Sequence, residues 1–491
     1  MSDPAGGDDR AIPSPSPSPS TKPSRRPGDL TEGPILATLV RFSVPMLIGN
    51  VIQTLNGSIN AIWVGRLIGE SALAATTNAN VVMFLLFAAV FGLGNATTVR
   101  VGQHFGARDI DATRRTFGSG IGFCLMAAVL IAIGGGLLSR HLLHLLATPE
   151  GSFEQAEAYL RVVFLTMPFG TLSMMLGMGL RGTGDSNTPL HSMLLTVALD
   201  IVLNPLLIRG WGPVPAFGIA GSAAATAIAN IGGVVLILIR LYRRDLALRL
   251  RGQELGYLLP RREDLAYIVG KGLPMGAQML LISSSQLVVV GLVNREGLNA
   301  TAAYGASMQL WNYLQMPAFA IGTAVSAMVA QNIGAGHHER VEKITRIGML
   351  TNLAMTGLLA AAIVLASHPL LTLFLGGGSP ALAIADHIQL VVTWSYVVMG
   401  AMMVLSGTMR AYGIVVAPLI IQTLALYPAR LGFYFALYPA LGGDALWWSF
   451  PVSTANSAVL TWLLYTRGAW RQRMIPAGQA AAQDGRASIL R

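Results

Sequence analysis

The sequence predicts an all-α polytopic membrane protein, with twelve transmembrane helices arranged as two six-helix bundles by a parallel internal repeat. Three observations predict it. The 491 residues are 53% hydrophobic and only 11% charged, with a mean hydropathy of +0.57, a balance that excludes a soluble chain of this length. Apolar stretches of roughly 20 residues or more, enough to cross a bilayer as a helix, recur twelve times. The last six repeat the first six at a nearly fixed offset of 229 residues.

Residues 1–33 open the chain with Ser14-Pro15-Ser16-Pro17-Ser18-Pro19 and Arg25-Arg26-Pro27. Such a composition buries no apolar face, so a disordered tail is expected. An N-lobe over 34–240 follows, with helices at about 36–64, 74–99, 116–138, 158–180, 190–208 and 217–239. The first of these comes too late and runs too long for a cleaved secretory signal, so it is read as a retained span. Residues 241–264 form a basic linker in which Arg243, Arg244, Arg249, Arg251, Arg261 and Arg262 stand among leucines. It suits an amphipathic helix on anionic headgroups, or an ordinary topology-setting loop. The C-lobe, 265–467, places helices at about 266–293, 301–330, 348–366, 388–409, 415–437 and 445–466, and residues 468–491 are a second tail. Pro45, Pro168, Pro205, Pro274, Pro317, Pro428 and Pro451 fall inside spans, where they kink or interrupt helices.

The repeat is carried by punctuation inside apolar sequence. Val44-Pro45-Met46 returns as Leu273-Pro274-Met275, and Arg181, Gly184 and Pro189 return as Arg410, Gly413 and Pro418. Between these anchors the register slips by one: Ala74-Ala75 matches Ala302-Ala303, Gly94 matches Gly322, and Gln103-His104-Phe105-Gly106-Ala107 matches Gln331-Asn332-Ile333-Gly334-Ala335. A one-residue insertion or deletion explains the slip. Two homologous membrane lobes in one chain are the layout of an alternating-access carrier, with its substrate site between the repeats.

A net charge of +10 could point to nucleic acid, but its distribution points to the membrane. Among the 33 Lys and Arg residues, Arg66, Arg140, Arg209 and Arg295 fall on one side, Arg161 and Arg430 within spans, and all the rest on the side of the termini. The positive-inside rule then makes this a multi-pass protein of the plasma (inner) membrane with both termini cytoplasmic, a lipid bilayer around it and no nucleic-acid partner. The lone Cys124 lies in the third helix and gives no disulfide framework. Oligomeric state leaves no trace in the sequence.

The most informative polar residue is Asp200, inside the fifth helix in Leu199-Asp200-Ile201-Val202-Leu203-Asn204-Pro205. An acid at that depth costs on the order of 3 kcal/mol on insertion scales, so it is expected to face the bundle interior. Asn204 shares its face, and Pro205 frees a carbonyl one turn back. The first helix offers Asn56, Ser58 and Asn60, and the sixth offers Ser222, Thr226 and Asn230 at four-residue spacing. Asp200, Asn204, Asn60 and Thr226 thus form a candidate cation-coupling set. It suits a proton, since burial disfavours a bare carboxylate, or a sodium ion. The plainer alternative is an acid neutralised by an arginine.

Arg430 lies within the eleventh helix, and removing the repeat offset places it one residue from Asp200. Opposite charges are therefore expected at equivalent depths, with Arg430 contacting substrate anions, pairing with Asp200, or snorkelling to headgroups. Gln286 on the seventh helix and Met174 and Met402, among 21 methionines, are assigned with Arg430 to an adaptable substrate cavity. Trp311, Tyr313, Trp394 and Tyr396 suit stacking on flat cations or the aromatic belts of a bilayer. Glycines 65, 94, 182, 184, 334 and 336 are read as turns and close helix approaches. Asp185 is read as a polar turn before the fifth helix, and Asp386, His387 and His191 as surface groups.

In order, spacing and duplication these features resemble the multidrug and toxic compound extrusion transporters over about residues 34–470. The likeness rests on the proline-interrupted first helix of each lobe and on Trp63-Val64-Gly65-Arg66-Leu67 leading to Ala72-Leu73-Ala74-Ala75. It also rests on the paired Gln103 and Gln331 motifs and on Leu180-Arg181-Gly182-Thr183-Gly184-Asp185 with Pro189. The resemblance implies two bundles about a pseudo-two-fold along the membrane normal and a central cavity open to one side at a time. It further implies export of organic cations or drugs driven by a proton or sodium gradient, with no cofactor beyond that coupling ion. In many relatives the position of Asn60 is an aspartate, and the acid and amide of the fifth helix stand in the reverse order from Asp200 and Asn204. This chain departs from them there, and its seventh and tenth helices lack the coupling carboxylates that some relatives carry. The rival readings are a lipid-linked saccharide flippase and an exporter of an anionic metabolite. A flippase needs several cations for pyrophosphate, whereas Arg430 stands nearly alone at mid-depth. A membrane-embedded enzyme is disfavoured because no helix presents a metal-ligand pair or a nucleophile–base constellation.

Overall fold

In a lipid interior every backbone polar group must be satisfied within its own segment, so long apolar runs become helices. The computed structural model describes residues 28–145, 150–210 and 215–468, and no strand occurs among them. The N-lobe holds α1 (Ile35–Leu67), α2 (Glu70–Gly106), α3 (Ile110–Leu145), α4 (Glu150–Gly182), α5 (Asn187–Arg209) and α6 (Gly218–Arg243). The C-lobe holds α7 (Arg262–Arg295), α8 (Leu298–Gly334), α9 (His338–Leu365) with its short continuation α10 (Ser367–Leu375), and α11 (Ala381–Ala411). Its eleventh span is α12 (Val416–Leu424) and α13 (Arg430–Leu441), joined through a π-helical turn containing Pro428, and α14 (Asp444–Arg467) completes it. Eleven of these spans are apolar enough by themselves to cross a membrane. The twelfth, α14, is more polar because Ser449, Ser453 and Thr461 turn inward and are buried.

Most helices overshoot the apolar runs that foretell them. The third, read at about 116–138, spans Ile110–Leu145, because its polar ends continue the helix beyond the hydrocarbon thickness that limits the apolar run.

The lobes are joined on the side where α1 begins and α14 ends. Leu39, Phe42 and Met46 of α1 pack on Ala320, Ile321, Ala324, Val325 and Met328 of α8. The repeat reproduces this across the pseudo-two-fold, with Ile268 of α7 in one cluster with Leu93 of α2 and Met275 in another with Ala96. The motif residues hold the seam. Gln103 Nε2 donates to the Ala411 carbonyl at 2.8 Å, and Gln331 Nε2 donates to the Gly182 carbonyl at 3.0 Å. Gly106 lies against the backbone of Gln331 and Gly334 against that of Gln103, so closely that a Cβ on either would overlap a carbonyl. These glycines permit the crossing of α2 and α8. On the opposite side the apolar clusters stay within one lobe: Val64, Leu143, Leu160 and Phe164 in the first, Leu292, Tyr304, Trp311 and Trp447 in the second. Among the described residues no apolar cluster joins the two lobes on that side.

One expectation is corrected and one alternative resolved. Residues 28–33, read as part of a disordered tail, lie across the seam: Leu30 is buried, its N–H donates to Gln331 Oε1 at 2.9 Å, and Arg340 donates to the Gly33 carbonyl at 2.6 Å. Composition gave no sign of this, because one leucine in a polar stretch is a weak signal and the hydrogen bonds across the seam use the segment's backbone groups. The rest of that tail, and the C-terminal one from 469, lie outside the described residues. Of the two readings of the linker, the loop is the one this fold takes. It carries one 3-10 turn, Gly252–Leu258, docked on α3 by Arg114–Glu254 at 2.6 Å and by Tyr257 Oη donating to Asp111 at 2.6 Å. Each lobe is thus clasped by the segment that leads into the other, through Asp111 and Arg114 near the start of α3 and Arg340 near the start of α9.

Candidate functional site

The phase of α5 is set at its start. Asp185 Oδ1 accepts the N–H groups of Asn187 and Thr188 at 3.0 and 2.9 Å, satisfying donors that the first turn leaves free. Asp200 and Asn204, four residues apart, then share the face that meets α1 and α6, and neither has any exposed surface. Asp200 Oδ2 accepts from Asn56 Nδ2 at 2.8 Å and Asn60 Nδ2 at 2.7 Å, both from α1. Oδ1 accepts from Asn204 Nδ2 and from Thr226 Oγ1 of α6, each at 2.9 Å. Asn204 also donates to Asn60 Oδ1 at 3.1 Å and accepts from Ser222 Oγ at 2.6 Å.

The four residues singled out as a coupling set are therefore brought into one cluster, completed by Asn56 and Ser222. Ser58 is exposed and bonds its own helix at Thr54, and Asn230 makes no hydrogen bond among the described residues. The expected alternative, neutralisation by an arginine, is absent: among the described residues Asp200 has no ion-pair partner. Its two oxygens are met by four neutral donors. One atom is left over. Asn56 Oδ1 is buried beside the carboxylate and has no hydrogen-bond partner.

Arg430 is not in this cluster. It is 9% exposed inside the C-lobe, where Nε donates to Ser453 Oγ at 3.1 Å and the guanidinium lies over the Phe450 ring at 4.4 Å. Snorkelling to headgroups is corrected by this position, and in this conformation Arg430 is not paired with Asp200. Phe450 belongs to an aromatic wall with Tyr304 and Trp311, and Tyr396 packs on Trp311 at 5.3 Å. The indole of Trp311 is anchored by Gln389 at 3.2 Å and Thr393 at 3.0 Å. Sequence reasoning missed Ser453, Phe450 and Tyr304. The repeat held the signal, because α14 is the counterpart of α6 and faces the eleventh span as α6 faces α5.

The remaining cavity assignments gain less from the structure. Met174 on α4 and Met402 on α11 are half-buried and Gln286 on α7 is exposed, and none is hydrogen-bonded to either charged residue. Tyr313 and Trp394 are exposed at 53% and 46%, positions suited to lipid. Asp386 pairs with His368 at 2.8 Å and His387 with Asp444 at 3.3 Å, at the outer surface. Cys124 is buried and free.

The model of the MatE family matches this chain twice, over residues 45–206 and 274–435, with the same 229-residue offset that the sequence shows. The chain belongs to the MatE family. It is 34% identical over 436 residues to the "probable multidrug resistance protein YoeA" of Bacillus subtilis, covering 88% of this chain and 94% of that one. A second protein of that organism, the "probable multidrug resistance protein YpnP", is 29% identical over 446 residues, covering 90% and 97%. Among solved structures, a MATE transporter in its bent conformation superposes with a TM-score of 0.83 at 22% identity, over 92% of this chain and 99% of the other. That likeness carries the fold, two bundles of six helices, and the family makes the chain a multi-pass membrane efflux transporter of the multidrug class rather than an enzyme.

Proposed function

We propose that this MatE protein exports small organic compounds, organic cations among them, by exchange against protons or sodium ions bound at Asp200. In this reading it sits in the plasma membrane with both termini cytoplasmic, so the seam closes the cytoplasmic side and the cleft faces outward. The observation that carries the proposal is a fully buried carboxylate wrapped by neutral donors, with an unpaired amide oxygen beside it.

The geometry supplies a coupling step. An ionised Asp200 accepts from all four neighbours and so ties α1 to α5 and α6. A proton on Oδ2 turns an acceptor into a donor, which sets it against the N–H groups of Asn56 and Asn60. Rotation of the Asn56 amide then presents its free oxygen to the new O–H. A sodium ion makes the same demand, because it requires oxygens where the amides now present N–H groups. Either ion loosens the outer half of α1 from α5, and the energy of ion binding becomes a bias on the cleft.

The test is ethidium efflux from proteoliposomes under an imposed proton or sodium gradient. Parent protein is expected to respond to one of the two gradients, and Asp200→Asn to lose that response while still binding ethidium. Gradient-driven efflux at the parental rate in Asp200→Asn would sink the coupling role.

A further inference from the structure

Arg430 is a buried cation with almost all of its hydrogen-bonding capacity unused. A guanidinium carries five N–H donors in a planar fork. Among the described residues one hydrogen bond is made, from Nε to Ser453 at 3.1 Å, and no carboxylate lies within ion-pairing distance. The two Nη groups are the end of the fork that grips a carboxylate, sulfonate or phosphate with two parallel bonds. Tyr304 on α8 and Tyr396 on α11 lie within electrostatic range of the guanidinium, their rings packed on Phe450 and Trp311. Phe450 backs the guanidinium, Trp311 is held rigid by Gln389 and Thr393, and four elements of one lobe converge on the spot.

We propose that the Arg430 cluster is an anion-binding subsite, taking flat aromatic compounds that carry a carboxylate, sulfonate or phosphate group. The anion accepts from the Nη groups and the two phenols, while the ring stacks on the aromatic wall formed with Tyr304 and Tyr396. The proposal rests on the reading of the chain as an exporter of small organic compounds. It extends the substrate range from cations to aromatic anions and zwitterions, and it assigns the two charges of the molecule to different tasks: Asp200 to the coupling ion, Arg430 to the substrate. Mid-depth placement inside a lobe favours a soluble anion over a lipid headgroup, whose phosphate stays at the surface.

The test uses the purified full-length protein and measures quenching of tryptophan fluorescence and thermal shift with 2-naphthalenesulfonate and its uncharged relative 2-naphthalenesulfonamide. Parent protein is expected to bind the sulfonate at least about tenfold more tightly than the sulfonamide. Arg430→Met is expected to bring the two within about twofold, with an unliganded melting temperature equal to or above the parent's, since a buried charge without a counterion does not stabilise its lobe. If Arg430→Met fails to fold, Arg430→Lys decides. It keeps the charge but loses the fork, so sulfonate binding should weaken by about threefold or more. Equal binding of both probes by the parent, a preference that survives Arg430→Met, or unchanged affinity in Arg430→Lys overturns the proposal. Displacement of the sulfonate by phosphatidylglycerol, but not by soluble benzoate, assigns the site to lipid and also overturns it. Binding at equilibrium needs no gradient, so Asp200→Asn should keep the sulfonate preference while losing coupled efflux, which separates failure here from failure of the coupling role.

Discussion

The two lobes place one buried charge each at the same depth and in nearly the same repeat register, yet they treat it in opposite ways. Asp200 accepts four hydrogen bonds from three helices, while Arg430 gives one and rests on an aromatic face. The difference teaches what each site can receive. A saturated carboxylate admits only a ligand that rearranges its donors, and a proton or a small cation does that. An unsaturated guanidinium is open to a ligand that brings its own acceptors. Duplication supplied the same scaffold twice, and the residues lining each copy surround one charge with donors and leave the other with most of its own donors free.

The sharpest way to break this comparison is to remove one hydrogen-bonding neighbour from each side. Asn204→Leu takes away donors to Asp200 and Asn60 and leaves Ser222 Oγ facing carbon, so it should destabilise the protein by roughly 2–4 kcal/mol. Ser453→Ala removes the bond from Arg430 and the hydroxyl's own bond to the Phe450 carbonyl, which stays within its helix, and should cost about 1 kcal/mol. Melting temperatures in detergent rank the two. A Ser453→Ala protein as unstable as Asn204→Leu would show that the C-lobe pocket is as tightly built as the other, and the contrast would fail.

The seam offers a second comparison between repeat twins. Gln331 bridges Leu30, Gly28 and Gly182 with no exposed surface, whereas Gln103 makes one cross-lobe bond, to Ala411. Gln331→Leu should therefore favour opening on the terminal side by roughly 1–3 kcal/mol, and Gln103→Leu by about 1 kcal/mol. A cysteine at Ala411, which is fully buried in the closed seam, reports the opening through its rate of maleimide labelling. Labelling should rise by about tenfold or more with Gln331→Leu and by about fivefold with Gln103→Leu, against a quiet background because Cys124 is buried. Equal rates would mean that residues 28–33 add nothing to closure.

How much of this was legible beforehand follows from the kind of signal each feature leaves. Hydropathy and the repeat fix the number of spans and their pairing, since both are properties of apolar runs and spacing. The Asp200 cluster was readable because a carboxylate inside an apolar helix demands partners, and Asn60, Asn204 and Thr226 lie at helical spacing on the helices next to it. The Arg430 surroundings were not, because Phe450 and Tyr304 look like any aromatic residue of a membrane helix until the packing shows which ring lies under the cation. The contacts at 28–33 were illegible for a different reason: they rest on one buried leucine and on backbone amides and carbonyls that carry no side-chain signature. The sequence leaves the linker open between helix and loop because arginines among leucines look amphipathic, whereas its docking depends on Arg114 of α3 reaching Glu254 and Ala247, and on Arg249 reaching Asp245.

That linker yields the smallest predicted effect and one confined to the N-lobe clasp. Partial burial works to raise the Glu254 carboxyl, but the Arg251 backbone N–H at 2.9 Å and the Arg114 guanidinium at 2.6 Å outweigh it and hold the group below the usual carboxylate range. A carboxyl whose folded value is depressed stabilises the docked form above its ordinary value, and that contribution is lost as the pH falls through the depressed one. Protection of residues 252–258 against hydrogen exchange should accordingly be flat from neutral pH down to the ordinary carboxylate range and decline only below it. In Glu254→Gln the amide keeps an acceptor for Arg251 but loses its charge for Arg114, so protection should start modestly lower and stay level over the same acid window. A decline of equal size in Glu254→Gln would assign the acid response to Asp111 and Tyr257, the other half of the clasp.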